Sequence, residues 1–325
     1  MYNYVYCGYP LPLTMVHLER MILHVLWVTA MLAIGARGFL FRRTDCQVSD
    51  WSSWSKPFGF GQVSRERAIL RHPSNGGSPC PPDMEEIKMT GQRVSIQSTA
   101  KSITSNFMVQ NSQANSLSVG FVRDLLVIVD GSGSIGASDF NDAKNQLARL
   151  LGMLCPEPDP FKTRRKVHQQ AALIEFSTTV REIFDFNDKA NTVAVQQGII
   201  GMPYLSGQTC TATAFNYARS TMFTASKGMR SQPNVKKDVL ILTDGNSNCG
   251  GDAVQAAKLL GKTANVYGLI IGGQDDASIQ ELTDYVSSPK DQHLFTVEDA
   301  HDHLEQLVTL VEQELKSIPC QSFDI

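Results

Sequence analysis

The chain has 325 residues, 42% of them hydrophobic and 19% charged, and its formal net charge is −3. This composition is typical of a globular protein with one sizeable core and a smaller unit beside it. The near-neutral charge, without a basic block, argues against a nucleic acid as partner.

The first predicted element is the apolar run MILHVLWVTAMLAIG at residues 21–35. It is short for a membrane span and fits the apolar region of a secretory signal peptide. We therefore predict that residues 1–36 are a signal peptide, with Met1 or Met21 as the start, and that the mature chain is secreted without a membrane span. An uncleaved signal anchor is the alternative, and the positive-inside rule disfavours it because three arginines follow the run. They are Arg37, Arg42 and Arg43.

Two polar regions come next. Residues 44–88 are rich in Trp, Ser, Arg, Gly and Pro and contain few aliphatic side chains, which predicts a small domain. Residues 89–119 are rich in Ser, Gln and Asn, which predicts a linker.

Residues 120–318 alternate apolar runs with amphipathic stretches. The runs are residues 125–130, 171–177, 180–186, 238–244, 264–272 and 293–297. Most are apolar throughout, as strands buried on both faces should be. Helical patterns separate them, except for the second and third runs, which are close enough to form a hairpin. The region is predicted to be an α/β doubly wound fold with a mostly parallel sheet.

The loop after the first of these strands, in DLLVIVDGSGSIG, has two interpretations. Its glycines match the G-x-G-x-x-G pattern of dinucleotide-binding folds, but Asp130 before them would repel a pyrophosphate. The acidic ribose ligand is also missing, because the expected position falls inside the next helix. Read as oxygen ligands, the same loop offers Asp130, Ser132 and Ser134 to a metal ion.

Two further oxygen ligands stand at predicted strand or helix ends, Thr209 in GQTCTATAF and Asp244 in LILTDGNSN. With the first loop they form a pattern that resembles the von Willebrand factor A (integrin I-like) domain and its metal-ion-dependent adhesion site. The resemblance covers residues 121 to about 316 and matches all five site positions.

The resemblance implies a divalent cation, Mg²⁺ or in its place Mn²⁺ or Ca²⁺. Serine and threonine hydroxyls can bind Mg²⁺ directly, while the two carboxylates hold its water ligands. The implied partner is an extracellular matrix or cell-surface protein that presents an Asp or Glu; a glycosaminoglycan is a second candidate.

The cysteines of a secreted chain should be oxidised. Cys7 lies in the predicted signal region, so six remain, and six cysteines allow fifteen pairings. Location favours one set: Cys46–Cys80 in the small domain, Cys210–Cys249 at the edge that carries the metal pattern, and Cys155–Cys320 at the opposite edge.

Residues 44–88 resemble a thrombospondin type 1 repeat. The resemblance implies a cation–π stack of Trp51, Trp54, Arg65 and Arg67 in place of a hydrophobic core. The W-x-x-W spacing also fits C-mannosylation of Trp51. The segment KPFGFG departs from that family, since it stands where a pair of cysteines and a fucosylated residue are usual.

The expected function is that of a non-enzymatic, secreted matrix or adhesion protein. The domain order resembles coadhesin-like adhesive and skeletal-matrix proteins of corals and related invertebrates, which implies a biomineral matrix. Alternatives are an apicomplexan-type motility adhesin and a metal-dependent hydrolase. The sequence contains neither H-E-x-x-H nor G-x-S-x-G, which argues against the hydrolase.

Overall fold

The computed structural model describes residues 42–109, 122–154, 169–271, 276–297 and 300–316. The chain divides into two compact units, the described parts of which are residues 42–50 with 67–84 and residues 51–66 with 85–316. The predicted signal region, Cys155 and Cys320 lie outside the described residues. Within those ranges, no helix has both the length and the apolar character needed to cross a membrane.

Four short strands come first in chain order: β1 (Gln47–Val48), β2 (Gln62–Glu66), β3 (Ile69–Arg71) and β4 (Glu85–Met89). In the first unit, β1 pairs antiparallel with β3, and a disulfide joins Cys46 to Cys80, as predicted from their location. In the second unit, β2 pairs antiparallel with β4. The residues predicted as one small domain are therefore shared between two units.

The second unit contains three of the four residues predicted to form a cation–π stack, Trp51, Trp54 and Arg65. The Arg65 guanidinium carbon lies 5.0 Å from the ring centroid of Trp51 and 4.7 Å from that of Trp54. Lys88 from β4, which the sequence did not indicate, places its Nζ 4.0 Å from the Trp54 centroid. The other predicted member, Arg67, belongs to the first unit, where its guanidinium donates to the Asp83 carbonyl.

Residues 96–108 differ from the linker predicted for 89–119. They form helix α1 (Ile96–Ser102), which continues as a π-helix over Ile103–Met108. The Ser95 side chain caps α1 by accepting a hydrogen bond from the Ser98 amide. Ile103 and Phe107 are buried in the main hydrophobic core. Apolar residues at positions 96, 100, 103 and 107 recur at helical spacing, and the serines between them hid that pattern.

The remaining strands build one six-stranded sheet: β5 (Val122–Asp130), β6 (Gln169–Phe176), β7 (Val180–Phe184), β8 (Val235–Thr243), β9 (Asn265–Ile271) and β10 (Leu294–Val297). Their order is β10-β9-β8-β5-β6-β7. All neighbours are parallel except β6 and β7, which form the predicted antiparallel hairpin. The doubly wound, mostly parallel sheet is thus confirmed.

Helices cover both faces of the sheet. They are α2 (Ala137–Gly152), α3 (Thr192–Ile200), α4 (Thr211–Tyr217), α5 (Ala253–Leu260), α6 (Asp276–Tyr285), α7 (Lys290–His293) and α8 (Ala300–Leu315). Central strand β5 alternates its side chains between two cores: Val127 packs with α1, α2, α3 and α8, whereas Ile128 packs with α4, α5 and α6. Because both faces are covered, this strand is apolar at successive positions.

Candidate functional site

The candidate site lies at the carboxyl ends of two neighbouring strands. Strand β5 ends at Asp130, and β8 ends at Thr243, directly before Asp244. The two strands are parallel neighbours, so their ends meet at one edge of the sheet. Thr209 lies two residues before α4.

Asp130 is held in place by the loop that follows it. Its side chain is 2% exposed; Oδ1 accepts a hydrogen bond from the Ser132 amide at 2.9 Å, and Oδ2 accepts one from the Thr243 hydroxyl at 2.7 Å. The Ser132 and Ser134 hydroxyls lie 3.0 Å apart. The loop therefore brings two hydroxyl oxygens together beside a fixed carboxylate.

Thr209 is tied to the loop that follows Asp244. Its amide donates to the Asn248 side-chain oxygen at 3.1 Å, and the Asn248 amide donates to the Thr209 carbonyl at 3.0 Å. The next residue, Cys210, forms a disulfide with Cys249, the pair predicted from their location. A reciprocal pair of hydrogen bonds and a covalent bond thus join the two loops.

The chain turns sharply after Asp244. Gly245 has φ +96° and Asn246 has φ +57°, both in the left-handed region. A Cβ on Gly245 would also lie 3.1 Å from a methyl carbon of Leu282. The TDGN segment therefore needs glycine at this position to turn away from the sheet.

The Asp244 carboxylate is the part of the site with unmet bonding capacity. Oδ1 is buried and has no hydrogen-bond partner in the described part of the chain. Burial raises the pKa of Asp244, while a hydrogen bond from Ser134 opposes that rise. An orphaned carboxylate oxygen beside paired hydroxyls is an all-oxygen donor set, which suits a hard divalent cation.

The predicted ligands of the site are all oxygens. Among the described residues, no three His, Cys, Asp or Glu side chains form a group that could hold a metal ion. Two carboxylates and three hydroxyls, rather than imidazoles or thiols, make up the predicted set.

Glu175 of β6 is a further carboxylate at this edge, and the sequence did not indicate it. Its side chain is fully buried, and Oε1 accepts a hydrogen bond from the Leu205 amide at 3.0 Å. Oε2 is buried and lacks a hydrogen-bond partner among the described residues. Burial raises the pKa of Glu175 to about 7. Burial also raises the pKa of Asp130 to about 6, because its effect is larger than that of the hydrogen bonds, which lower this pKa.

These two shifts predict a pH dependence of stability in the presence of a chelator. Both pKa values exceed the ordinary 4.5 of Glu and 3.8 of Asp. Between about pH 4 and 7, the folded chain therefore binds more protons than the unfolded chain, and each group lowers the free energy of unfolding as the pH rises. For each group, the free energy of unfolding can fall by at most about 1.4 kcal/mol per pH unit.

The measurement is urea unfolding in EDTA across this range, with Glu175→Gln as the matched variant. Gln keeps the acceptor for the Leu205 amide but cannot titrate, so the decline toward pH 7 should be shallower. An identical pH profile for both proteins would contradict the assignment.

The von Willebrand factor type A domain family model matches residues 124–310. Among similar proteins, the collagen alpha-4(VI) chain of Mus musculus is 27% identical over 200 residues, which is 59% of this chain and 8% of that protein. The transmembrane cell adhesion receptor mua-3 of Caenorhabditis elegans is 30% identical over 169 residues, or 51% of this chain and 4% of that protein. Matrilin-1 of Homo sapiens is 26% identical over 178 residues, or 54% of this chain and 33% of that protein.

A solved structure, proximal thread matrix protein 1 from the mussel byssus with a zinc-occupied MIDAS motif, is 22% identical with a TM-score of 0.49. The match covers 59% of this chain and 47% of that chain. The chain thus spans less than half of the length of each of these relatives.

Proposed function

Because the chain belongs to the von Willebrand factor type A family, we propose that it is a non-enzymatic extracellular adhesion or matrix protein. It binds an acidic group of a protein partner through a divalent cation. The cation site consists of Asp130, Ser132, Ser134, Thr209 and Asp244.

The observation that carries this proposal is the donor set at the sheet edge. The two serine hydroxyls lie 3.0 Å apart beside Asp244, which has a buried oxygen without a hydrogen-bond partner in the described chain. A cation would satisfy these groups together, and Mg²⁺ is the best fit because it takes oxygen ligands and retains several waters. When bound, the ion supplies an electrophilic centre to which a partner carboxylate can coordinate.

The chain's own residues fix the geometry of this site. Thr243 and the Ser132 amide hold the Asp130 carboxylate from two sides. The Tyr204 hydroxyl donates to the Ser132 carbonyl at 3.1 Å and braces the same loop. Loss of a group that orients a metal-binding side chain typically lowers metal affinity by about 10–100-fold.

The names of the relatives favour an adhesive or matrix role, since they include a collagen chain and a cell adhesion receptor. Secretion through the signal peptide at residues 1–36, the thrombospondin-like character of residues 44–88 and a place in a skeletal matrix are part of the same proposal. They are supported by the sequence patterns alone.

The test is a titration of the purified protein with MgCl₂ and with MnCl₂, in which isothermal calorimetry measures the binding affinity. Asp244→Ala should weaken cation binding by at least about 10–100-fold. It should leave the free energy of unfolding nearly unchanged, because it removes an unsatisfied oxygen rather than a core contact. The matched control is Asp142→Ala, since Asp142 is exposed on α2.

Retention of matrix or cell-surface proteins from an extract, with Mg²⁺ and with EDTA, then tests the partner. Wild-type protein should retain a partner only with Mg²⁺, and Asp244→Ala should retain none. Equal retention in EDTA, or equal Mg²⁺ affinity of the wild type and Asp244→Ala, would overturn the proposal.

A further inference from the structure

A cavity lies in the second unit, apart from the cation site. Its volume is about 710 Å³, and it is formed by residues 56–59, residues 92–106 around α1, and residues 291–294 before β10. None of the five residues of the proposed cation site lines it.

The charge of the cavity is positive. Three exposed cationic residues line it, Lys56, Arg93 and Lys101, against one carboxylate, Asp291. Burial raises the pKa of Asp291, and Lys56 opposes that rise. The cations therefore outnumber the acid at a concave surface, where like charges reinforce the attraction of an anion.

The walls between these charges carry ordered hydroxyl and amide groups. The Ser95 and Ser98 hydroxyls lie 3.0 Å apart. The Asn106 amide donates to the Ser102 hydroxyl at 3.0 Å, and that hydroxyl donates to the Asp291 carbonyl at 3.3 Å. These bonds hold the groups in fixed positions before any ligand arrives, which lowers the entropic cost of binding.

One wall of the cavity belongs to the hydrophobic core. Phe58 and Leu294 line it and are buried in the hydrophobic core that also contains Ile270. Phe58 belongs to KPFGFG, the segment that departs from the thrombospondin pattern. This substitution thus joins the segment to the core of the larger unit and creates one wall of the cavity.

We propose that this cavity binds a sulfated oligosaccharide. Lys and Arg side chains match the permanent negative charge of sulfate groups, and the hydroxyl and amide groups match the hydroxyls of the sugar. An acidic peptide fits less well because peptide-binding grooves usually receive apolar side chains of the peptide. Of the described residues that line this cavity, Pro57 is the one apolar residue that is exposed.

The experiment titrates the full chain with a heparin-derived hexasaccharide in EDTA, at low and at high salt. Binding should persist in EDTA and weaken with salt, because exposed charges are screened. Failure to bind the hexasaccharide is thus distinguishable from failure of the proposed cation site, because the cation site is tested separately by Mg²⁺ titration.

Two variants with opposite expected effects on affinity test the charged residues that line the cavity. The double change Lys56→Ala, Lys101→Ala should weaken binding by about 10-fold or more, since exposed charge contacts contribute up to about 1 kcal/mol each. Asp291→Asn should strengthen binding. Lys316→Ala is the matched control, because Lys316 is exposed and does not line the cavity; its affinity should equal that of the wild type.

Unfolding curves of the variants confirm that each is folded at the temperature of the titration. Unchanged affinity of the double lysine variant would overturn the proposal. Equal binding of an unsulfated hexasaccharide, or of a hexaglutamate peptide, would also overturn it, because neither result requires sulfate on a sugar.

Discussion

Arg123→Met should lower the free energy of unfolding by about 3–5 kcal/mol, because it leaves the Asp238 carboxylate buried without its cation. Both side chains have zero exposure, and Arg123 Nε lies 2.8 Å from Asp238 Oδ2. A buried charge without a partner loses its hydration and receives little in return. Urea unfolding at neutral pH measures the loss.

The same arginine also holds the π-helix over Ile103–Met108 in place. Its guanidinium carbon lies 4.3 Å from the centroid of the Phe107 ring, and Nη1 donates to the Phe107 carbonyl at 3.0 Å. Phe107 in turn packs edge-on against Tyr267. We therefore expect Arg123→Met to speed amide exchange in residues 103–108 as well.

A surface ion pair provides the control. Arg149 Nη2 lies 2.7 Å from Glu312 Oε2, but the two side chains are 37% and 47% exposed. Arg149→Met should cost no more than about 1 kcal/mol, because water solvates both charges in the wild type and still solvates the Glu312 carboxylate in the variant. Adding Asp238→Asn to Arg123→Met should recover part of the loss, since it removes the orphaned charge. Equal losses for the two single arginine variants would contradict this account.

Arg123 also marks a limit of prediction from the sequence. The apolar run predicted the strand from residue 125, whereas β5 begins at Val122. A charged residue reads as a strand boundary because charges are seldom buried alone. Its partner Asp238 is on another strand, so no local pattern reveals that the charge is neutralised in the core.

In the candidate site, too, some residues could be predicted from the sequence and others could not. Its five predicted residues follow from motifs that stand at strand or helix ends, and parallel strands bring such ends to one edge. Glu175, Thr243 and Asn248 were missed because their roles depend on contacts between loops that are distant in sequence. Asn248, for example, acquires its role only when it meets the backbone of Thr209.

Replacing both Cys46 and Cys80 by serine should unfold the first unit locally while the second unit stays folded. The disulfide closes a sequence separation of 34 residues, for which the chain-entropy estimate is roughly 3–4 kcal/mol. Among the described residues of the first unit, none is buried. Its stability therefore depends on the disulfide and on exposed hydrogen bonds such as that from the Thr44 amide to the Ser74 carbonyl.

Residues 51–66 should resist the same change because they pack into the hydrophobic core of the second unit. Phe58 and Val63 are 3% and 5% exposed, and the Gln62 amide donates to the Thr283 hydroxyl at 2.9 Å. The sequence alone predicts that residues 44–88 unfold together as one small domain. The division into two units instead predicts a boundary of stability at residues 50–51 and 66–67.

Hydrogen exchange measures that boundary directly. In the double serine variant, amides of residues 42–50 and 67–84 should exchange about 100-fold faster, as a loss of roughly 3 kcal/mol implies. Amides paired between β2 and β4 should keep their protection. The reciprocal variant is Phe58→Ala, which removes a buried aromatic side chain at a cost of about 3–5 kcal/mol and should expose residues 51–66. If the serine variant lost protection uniformly across residues 44–88, these residues would form one cooperative domain, and the anchoring role of Phe58 would be lost with it.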